Sequence, residues 1–377
     1  MTQNLVKGAA PGILGLEPYS PGMPIEELQR RLGVSNAIKL ASNENPLGMS
    51  AKVKVALADM IAKQNLAFYP DGGGHRLKQK LAQMHNITPE CITLGNGSND
   101  ILEFLARTYA GPGRAVMFSA YAFAVYALAA QAQTAESVVV PARPADDAMP
   151  YGHDMAAFTR ALRERPDVSL VFIANPNNPT GTWLPPAEIE AFLETVPPHV
   201  IVALDEAYFE YQEPSLRPET RRWLDRFPNL LVARTFSKVY GLAGLRVGYA
   251  LSNPTVADLL NRVRQPFNNN SLALLAAEVA LDDQAHVEAS VALNTRERAR
   301  LIDAMKQRGL SVLPTQANFI TINFNRDANP IHQGLLERGV IVRPMGSYQM
   351  PTYLRVTVGT TGENDRFLAA LDEALKA

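Results

Sequence analysis

A chain of 377 residues, 47% of them apolar, exceeds the usual size of a single core, so two domains or one large domain with a smaller appendage are expected. Its 36 basic and 37 acidic residues balance to a formal charge of −1, which leaves no electrostatic footprint for nucleic acid or an acidic membrane and makes a small molecule the default partner. The single cysteine, Cys91, excludes an intramolecular disulfide and a cysteine-based metal cluster, and it reads as a small buried residue at the head of a strand.

The first ten residues are polar and charged rather than a long apolar run, so no signal peptide is expected. No uninterrupted apolar stretch is long enough to span a bilayer, and a soluble cytoplasmic protein is the expectation. From Pro11 to Ser50, proline and glycine recur around one short amphipathic helix at Ile25 to Leu32, so this arm should wrap over something else. Its Ser42-Asn43-Glu44-Asn45-Pro46 cluster is turn chemistry. A helix follows from about Ser50 to Lys63. The turn Tyr69-Pro70-Asp71-Gly72-Gly73-Gly74 then leads into a helix ending near His85. That glycine triplet lacks the preceding strand and following Lys-Ser or Lys-Thr of a phosphate loop.

The next section alternates strand and helix. Strand signals lie at Cys91 to Leu94, Ala115 to Phe118, Ser137 to Val140, Ser169 to Ala174, Val200 to Leu204, Leu230 to Ala233 and Val247 to Leu251. Ile101, Leu102, Leu105, Ala106 and Tyr109 recur at helical spacing after Ser98, as do Ile189, Phe192 and Leu193 after Pro185-Pro186. The alanine-rich stretch Val116 to Ala132 divides into a strand and a helix. Near-continuous apolar strands alternating with helices predict an α/β fold, with a mainly parallel, mixed sheet sandwiched by helices and ligands gathered at the carboxyl ends of the strands. After Pro266 come helices at about Ser271 to Asp282 and Gln284 to Arg308. Strands at Phe319 to Asn323, Val340 to Arg343 and Leu354 to Val358 follow, with a helix at Pro330 to Arg338. This predicts a large domain over 51–285 and a smaller α+β domain formed by 286–377 and the N-terminal 1–50.

Chemistry concentrates in Arg234 to Gly248. The apolar run ending at Ala233 places Lys238 just beyond a strand end, where an amine can form an imine with an aldehyde. Thr235, Ser237, Arg246 and the intervening glycines suit a bound phosphate. A lysine that bonds a cofactor whose phosphate its neighbours hold points to pyridoxal phosphate (PLP); a solvated loop lysine is the alternative, and the stretch alone leaves the two even.

Four further motifs stand at strand ends. Asp205, in Ala203-Leu204-Asp205-Glu206-Ala207-Tyr208, can keep a pyridine nitrogen protonated, and Tyr208 can donate to the ring oxygen. Asn178, in Asn175-Pro176-Asn177-Asn178-Pro179-Thr180-Gly181, offers an amide donor to the same oxygen. Gly95-Asn96-Gly97-Ser98-Asn99-Asp100 opens a helix whose free N–H groups favour a phosphate dianion, or is an ordinary cap. Arg355, in Leu354-Arg355-Val356-Thr357-Val358-Gly359, needs a partner in an apolar strand, either a substrate anion or a structural carboxylate.

In this order the motifs resemble those of the fold type I PLP-dependent aminotransferases (aspartate aminotransferase-like), and more closely the histidinol-phosphate aminotransferase family. That resemblance runs from Pro18-Tyr19 through Ser42-Asn43-Glu44-Asn45-Pro46-Leu47-Gly48, Tyr69-Pro70-Asp71-Gly72, Phe236-Ser237-Lys238 and Gly241-Leu242-Ala243-Gly244-Leu245-Arg246, to Val342-Arg343-Pro344 and Arg355. It implies Lys238 as the cofactor-bonding base, Asp205 at the pyridine nitrogen, Asn178 and Tyr208 at the ring oxygen, and Gly97, Ser98, Asn99, Thr235, Ser237 and Arg246 around the phosphate. It implies a homodimer in which the partner's tyrosine, matched by Tyr69, reaches that phosphate. Phe123 matches the stacking aromatic, with Tyr121 as the competing match. Tyr19, Asn43, Arg343 and Arg355 match substrate-binding positions. The implied reaction passes the amino group of L-histidinol phosphate to 2-oxoglutarate, giving 3-(imidazol-4-yl)-2-oxopropyl phosphate and glutamate in histidine biosynthesis. An aromatic amino acid aminotransferase and a PLP-dependent phospho-amino-acid decarboxylase are the alternatives. No metal is expected.

Overall fold

The computed structural model describes residues 6–19, 22–63 and 66–376, so the first half of the N-terminal segment read for a signal peptide lies outside the described residues. The strands in chain order are β1 (Ile38–Lys39), β2 (Ile92–Gly95), β3 (Ala115–Ser119), β4 (Glu136–Val140), β5 (Val168–Ala174), β6 (Ile201–Asp205), β7 (Leu230–Thr235), β8 (Gly248–Ser252), β9 (Ser311–Val312), β10 (Phe319–Asn323), β11 (Val340–Ile341), β12 (Arg343–Pro344) and β13 (Tyr353–Thr357). Seven of them form the central sheet in the order β2-β8-β7-β6-β5-β3-β4. All pairings in it are parallel except those of β8, which runs against both β2 and β7.

Both faces of this sheet are buried except at its edge strand β4, which is why the other strands read as continuous apolar runs. Val171 and Ile173 of β5 join a core with Phe158, Ile189 and Phe192 of the helices Met155–Glu164 and Pro186–Leu193. Their alternates Leu170, Phe172 and Ala174 face Ile101 and Leu105 of helix Ser98–Tyr109 and Leu260 of helix Pro254–Val263. The helices Met155–Glu164, Pro254–Val263 and Thr361–Lys376 add to those expected from the apolar pattern. The first two carry a readable start signal, since the side chains of Asp154 and Asn253 accept from the backbone N–H groups of Ala157 and Thr255. Among the described residues, no helix is long and apolar enough to cross a membrane.

A second, four-stranded antiparallel sheet has the order β12-β13-β10-β9. The single strand expected at Val340 to Arg343 is two strands. Its first half pairs in parallel with β1 and its second half pairs with β13, so the chain changes sheets at the buried Val342. The arm is thereby knitted to the C-terminal part. Leu40 N–H donates to Ile341 O at 2.8 Å, Thr357 N–H donates to Leu40 O at 2.8 Å, and Leu28 packs with Leu336 and Ile341.

Candidate active site

The direction of β8 decides what meets at one sheet edge. Strands β2, β5, β6 and β7 run the same way, so Ser98, Asn178, Asp205 and Lys238 follow or end strands at the carboxyl edge. Because β8 is reversed, Arg246, two residues before its start, arrives at the same edge. A cavity of about 320 Å³ opens there, bordered on its other side by the arm residues Ser42, Asn43 and Glu44 and by Arg343 and Arg355 of the second sheet.

One group of lining residues is an anion cradle. Arg246 Nη1 lies 3.5 Å from Ser237 Oγ and donates to Ala243 O at 3.2 Å, while Nη2 is 3.4 Å from Asn96 O. Among the described residues no carboxylate pairs with it, so its charge is left to the cavity. Ser237 N–H donates to Thr235 Oγ1 at 3.1 Å. Helix Ser98–Tyr109 has no side-chain cap, so its first N–H groups are open to an anion. Two glycines make this approach possible. Gly97 has φ +81° and the Arg246 guanidinium occupies the space of its absent Cβ, while a Cβ on Gly248 would stand 2.5 Å from Ser98 N.

A second group surrounds Lys238. Asp205 is buried at the end of β6, with Oδ2 accepting from Tyr126 Oη at 2.9 Å and Oδ1 from Ala207 N–H at 3.2 Å. Burial raises its carboxyl, with the Tyr126 and Ala207 hydrogen bonds and the charge of Lys238 pulling the other way. Lys238 Nζ donates to Ser42 O at 3.1 Å and lies 5.6 Å from the Tyr208 ring. Burial, then the positive charge of Arg355, and further on Arg246, push its amine down to about 8 against the opposing carboxylates of Glu44 and Asp205. Tyr208 is buried, which raises its phenol to about 12, and its oxygen accepts from Asn43 Nδ2 at 2.9 Å.

Arg355 fixes a third feature. Its Nη1 hydrogen bonds to Asn178 Oδ1 and its Nη2 to Ala41 O at 2.7 Å, while its buried Nε has no partner among the described residues. A guanidinium only donates, so the Asn178 amide must present Oδ1 to Arg355 and turn Nδ2 elsewhere. Arg343 stands directly across from Arg355 in the β12–β13 pairing, and both line the cavity. Arg343 also lies over the Tyr19 ring at 5.6 Å.

Of the residues singled out in the sequence, Tyr19, Asn43, Ser98, Asn99, Phe123, Asn178, Asp205, Tyr208, Thr235, Ser237, Lys238, Arg246, Arg343 and Arg355 line this cavity. Gly97 lies beneath Arg246. Phe123 faces the cavity, whereas Tyr121 packs edge-on against Tyr151 at 4.9 Å. Tyr69 is elsewhere, 81% exposed and stacked on Phe267 at 4.6 Å. Asn43 is 1% exposed, and its side chain is engaged by Tyr208 and Thr357. Sequence reasoning missed Tyr126, because its partner Asp205 is 79 residues away; the signal was a tyrosine on the helix just after Phe123. Ser42 and Glu44, in the arm motif, were also missed as cavity residues.

The features fit pyridoxal phosphate: an unneutralised arginine beside an uncapped helix start, a buried carboxylate, an aromatic wall and a buried amine of lowered basicity. The description "Aminotransferase class I and II" matches residues 35–371. The chain belongs to that family. It is 53% identical over 369 residues to histidinol-phosphate aminotransferase 2 of Pseudomonas aeruginosa, with 97% of each chain covered. It is 51% identical over 377 residues to histidinol-phosphate aminotransferase 2 of Pseudomonas fluorescens, covering 100% of this chain and 99% of that one. A crystal structure of histidinol-phosphate aminotransferase from Sinorhizobium meliloti in complex with pyridoxal-5'-phosphate superposes with a TM-score of 0.89 at 29% identity, with 98% of each chain covered. Within the class I and II aminotransferases the chain thus groups with the histidinol-phosphate aminotransferases, and the α/β fold expected of it is the one observed.

Proposed function

We propose that the protein transfers the amino group of L-histidinol phosphate to 2-oxoglutarate, giving 3-(imidazol-4-yl)-2-oxopropyl phosphate and glutamate in histidine biosynthesis, with pyridoxal phosphate as cofactor. One observation supports the phosphorylated substrate above others: Arg343 and Arg355 face one cavity from directly opposed positions on β12 and β13. Two guanidinium groups suit a phosphate dianion, and Arg355 alone suits the carboxylate of glutamate. Tyr19, beneath Arg343, closes the same end.

When bound, the cofactor supplies an aldehyde carbon and an electron-withdrawing ring. Lys238 would hold the cofactor through that aldehyde and move the proton of the substrate Cα, a role suited to an amine lowered to about 8. Asp205, held by Tyr126, keeps the proton on the pyridine nitrogen. Asn178 and Tyr208 would donate to the ring oxygen, Phe123 would supply an aromatic wall for the ring, and Ser98, Asn99, Thr235, Ser237 and Arg246, backed by Gly97, would hold the cofactor phosphate. Asn43 lines the cavity and donates through Nδ2 to Tyr208 Oη at 2.9 Å.

We further infer a cytoplasmic homodimer in which Tyr69, exposed and outside its own cavity, completes the phosphate site of a second copy. We also divide the chain into a large domain, 51–285, and a small one, 1–50 with 286–377. The seven-stranded sheet lies within the first, the β1–β11 pairing ties the arm to the second, and the boundary falls in the first turn of helix Gln284–Gln307.

The test compares histidinol phosphate, phenylalanine and phosphothreonine as donors with 2-oxoglutarate as acceptor. Histidinol phosphate should give the highest kcat/KM. A preference for phenylalanine would make this an aromatic aminotransferase, and release of CO₂ from phosphothreonine would make it a decarboxylase. Lys238→Ala should abolish the visible absorption of the lysine-bound cofactor.

A further inference from the structure

A hydroxyl outside the cavity governs the direction in which Tyr208 donates. Thr357, at the end of β13 and 3% exposed, has two hydrogen bonds to Asn43. Its Oγ1 accepts from Asn43 N–H at 2.9 Å and donates to Asn43 Oδ1 at 3.2 Å. Asn43 Nδ2 then donates to Tyr208 Oη at 2.9 Å.

The chain runs one way. With the Asn43 amide reversed, the Thr357 hydroxyl would face two Asn43 donors and lose the acceptor it uses in a buried site, a costly arrangement. With the amide as placed, the Tyr208 oxygen accepts a hydrogen bond from Asn43 Nδ2 and cannot donate its own proton to that nitrogen. Its proton is left for the cavity. Asn43 is otherwise immobilised, since its carbonyl accepts from Asn318 Nδ2 at 3.0 Å and its backbone lies in the positive-φ region at 57°.

We propose that Thr357 is a positioning residue: through Asn43 it orients the Tyr208 hydroxyl so that this group donates into the cavity, towards the ring oxygen of a bound pyridoxal phosphate. This rests on the cofactor reading given above. A donor at that oxygen stabilises its anionic form and so lowers the affinity of the lysine-bound cofactor for its shared proton. Burial keeps Tyr208 itself protonated across the working range, which leaves it a donor throughout.

The experiment follows the pH midpoint of the visible absorption band in the holoenzyme. Thr357→Val should raise the midpoint by about 0.5 to 1 pH, the size expected for weakening one hydrogen bond. Thr357→Ser should restore the parent value. Tyr208→Phe should raise it at least as far, and Thr357→Val added to Tyr208→Phe should change nothing more. Thr357→Ala serves the same measurement if the valine variant does not fold. An unmoved midpoint in Thr357→Val or Thr357→Ala, with Tyr208→Phe shifted, would overturn the inference while leaving the cofactor reading standing. So would an undiminished effect of Thr357→Val in the Tyr208→Phe background. A parent enzyme that shows no visible band after incubation with pyridoxal phosphate would overturn the cofactor reading and this inference together.

Discussion

The lowered basicity of Lys238 is open to a direct test, with pH as one perturbation and Glu44→Gln as the other. An ordinary lysine titrates at 10.5, and the fold brings Lys238 to about 8, chiefly by burial and then by the charge of Arg355. At pH 7 that raises the fraction of neutral amine by about 300-fold over a solvated lysine. Cofactor-free protein pulsed with an amine-reactive label and mapped by mass spectrometry should show half-maximal labelling of Lys238 near pH 8. Glu44 opposes the shift, so its replacement by glutamine should move the midpoint lower still. The same shift has a stability sign. Because the folded value is below the unfolded one, the unfolded chain binds more protons between about pH 8 and 10.5, and this group's contribution to stability grows as pH rises through that window. Labelling of Lys238 only above about pH 10, as for a solvated lysine, would refute the reasoning, as would an upward move in Glu44→Gln.

Three other substitutions probe separate parts of the site. Tyr126→Phe keeps the ring stacked on Phe172 at 4.6 Å but removes the donor to Asp205. A charge-assisted bond of this kind is worth about 1.5–3 kcal/mol, so transamination should slow by about 10- to 100-fold with the fold intact; a change under about twofold would count against the pyridine-nitrogen role. Arg343→Ala should raise KM for histidinol phosphate by about tenfold or more while leaving the glutamate half-reaction within about threefold. Equal losses in both half-reactions would remove the division of labour between Arg343 and Arg355. Gly97→Ala places a methyl group in the space of the Arg246 guanidinium at φ +81°, so cofactor affinity should fall by about tenfold or more, measured by equilibrium dialysis. Unchanged affinity would show that Arg246 does not depend on this packing.

Much of the fold was legible because its causes are local. The helices Ile25–Leu32 and Ser271–Asp282 and the strand Phe319–Asn323 begin and end where apolar spacing predicts. The strands of the central sheet other than the edge strand β4 were visible because both faces are buried and each reads as an apolar run. The helix Thr361–Lys376 was harder to see, since alanine and charged residues interrupt its apolar stripe. The break at Val342 was invisible because each half of that segment is extended, and only the partners differ.

For the site, the sequence by itself determined which residues could act: a lysine, an acid, an amide and Arg246, each beside a strand end, and Arg355 within an apolar strand. Short-range spacing is enough for that, because a strand end presents whatever follows it. Only the tertiary structure decided how they meet. The reversal of β8 carries Arg246 to the edge where Lys238 stands, and nothing within the stretch Arg234 to Gly248 states that direction. The Tyr126–Asp205 bond joins residues 79 positions apart, and the Asn43–Thr357 bonds join residues 314 apart. The choice of Phe123 over Tyr121 as a cavity wall depends on which way one turn faces. Hydrogen-bond direction, strand sense and side-chain facing arise from packing between distant segments, and local composition carries no record of them.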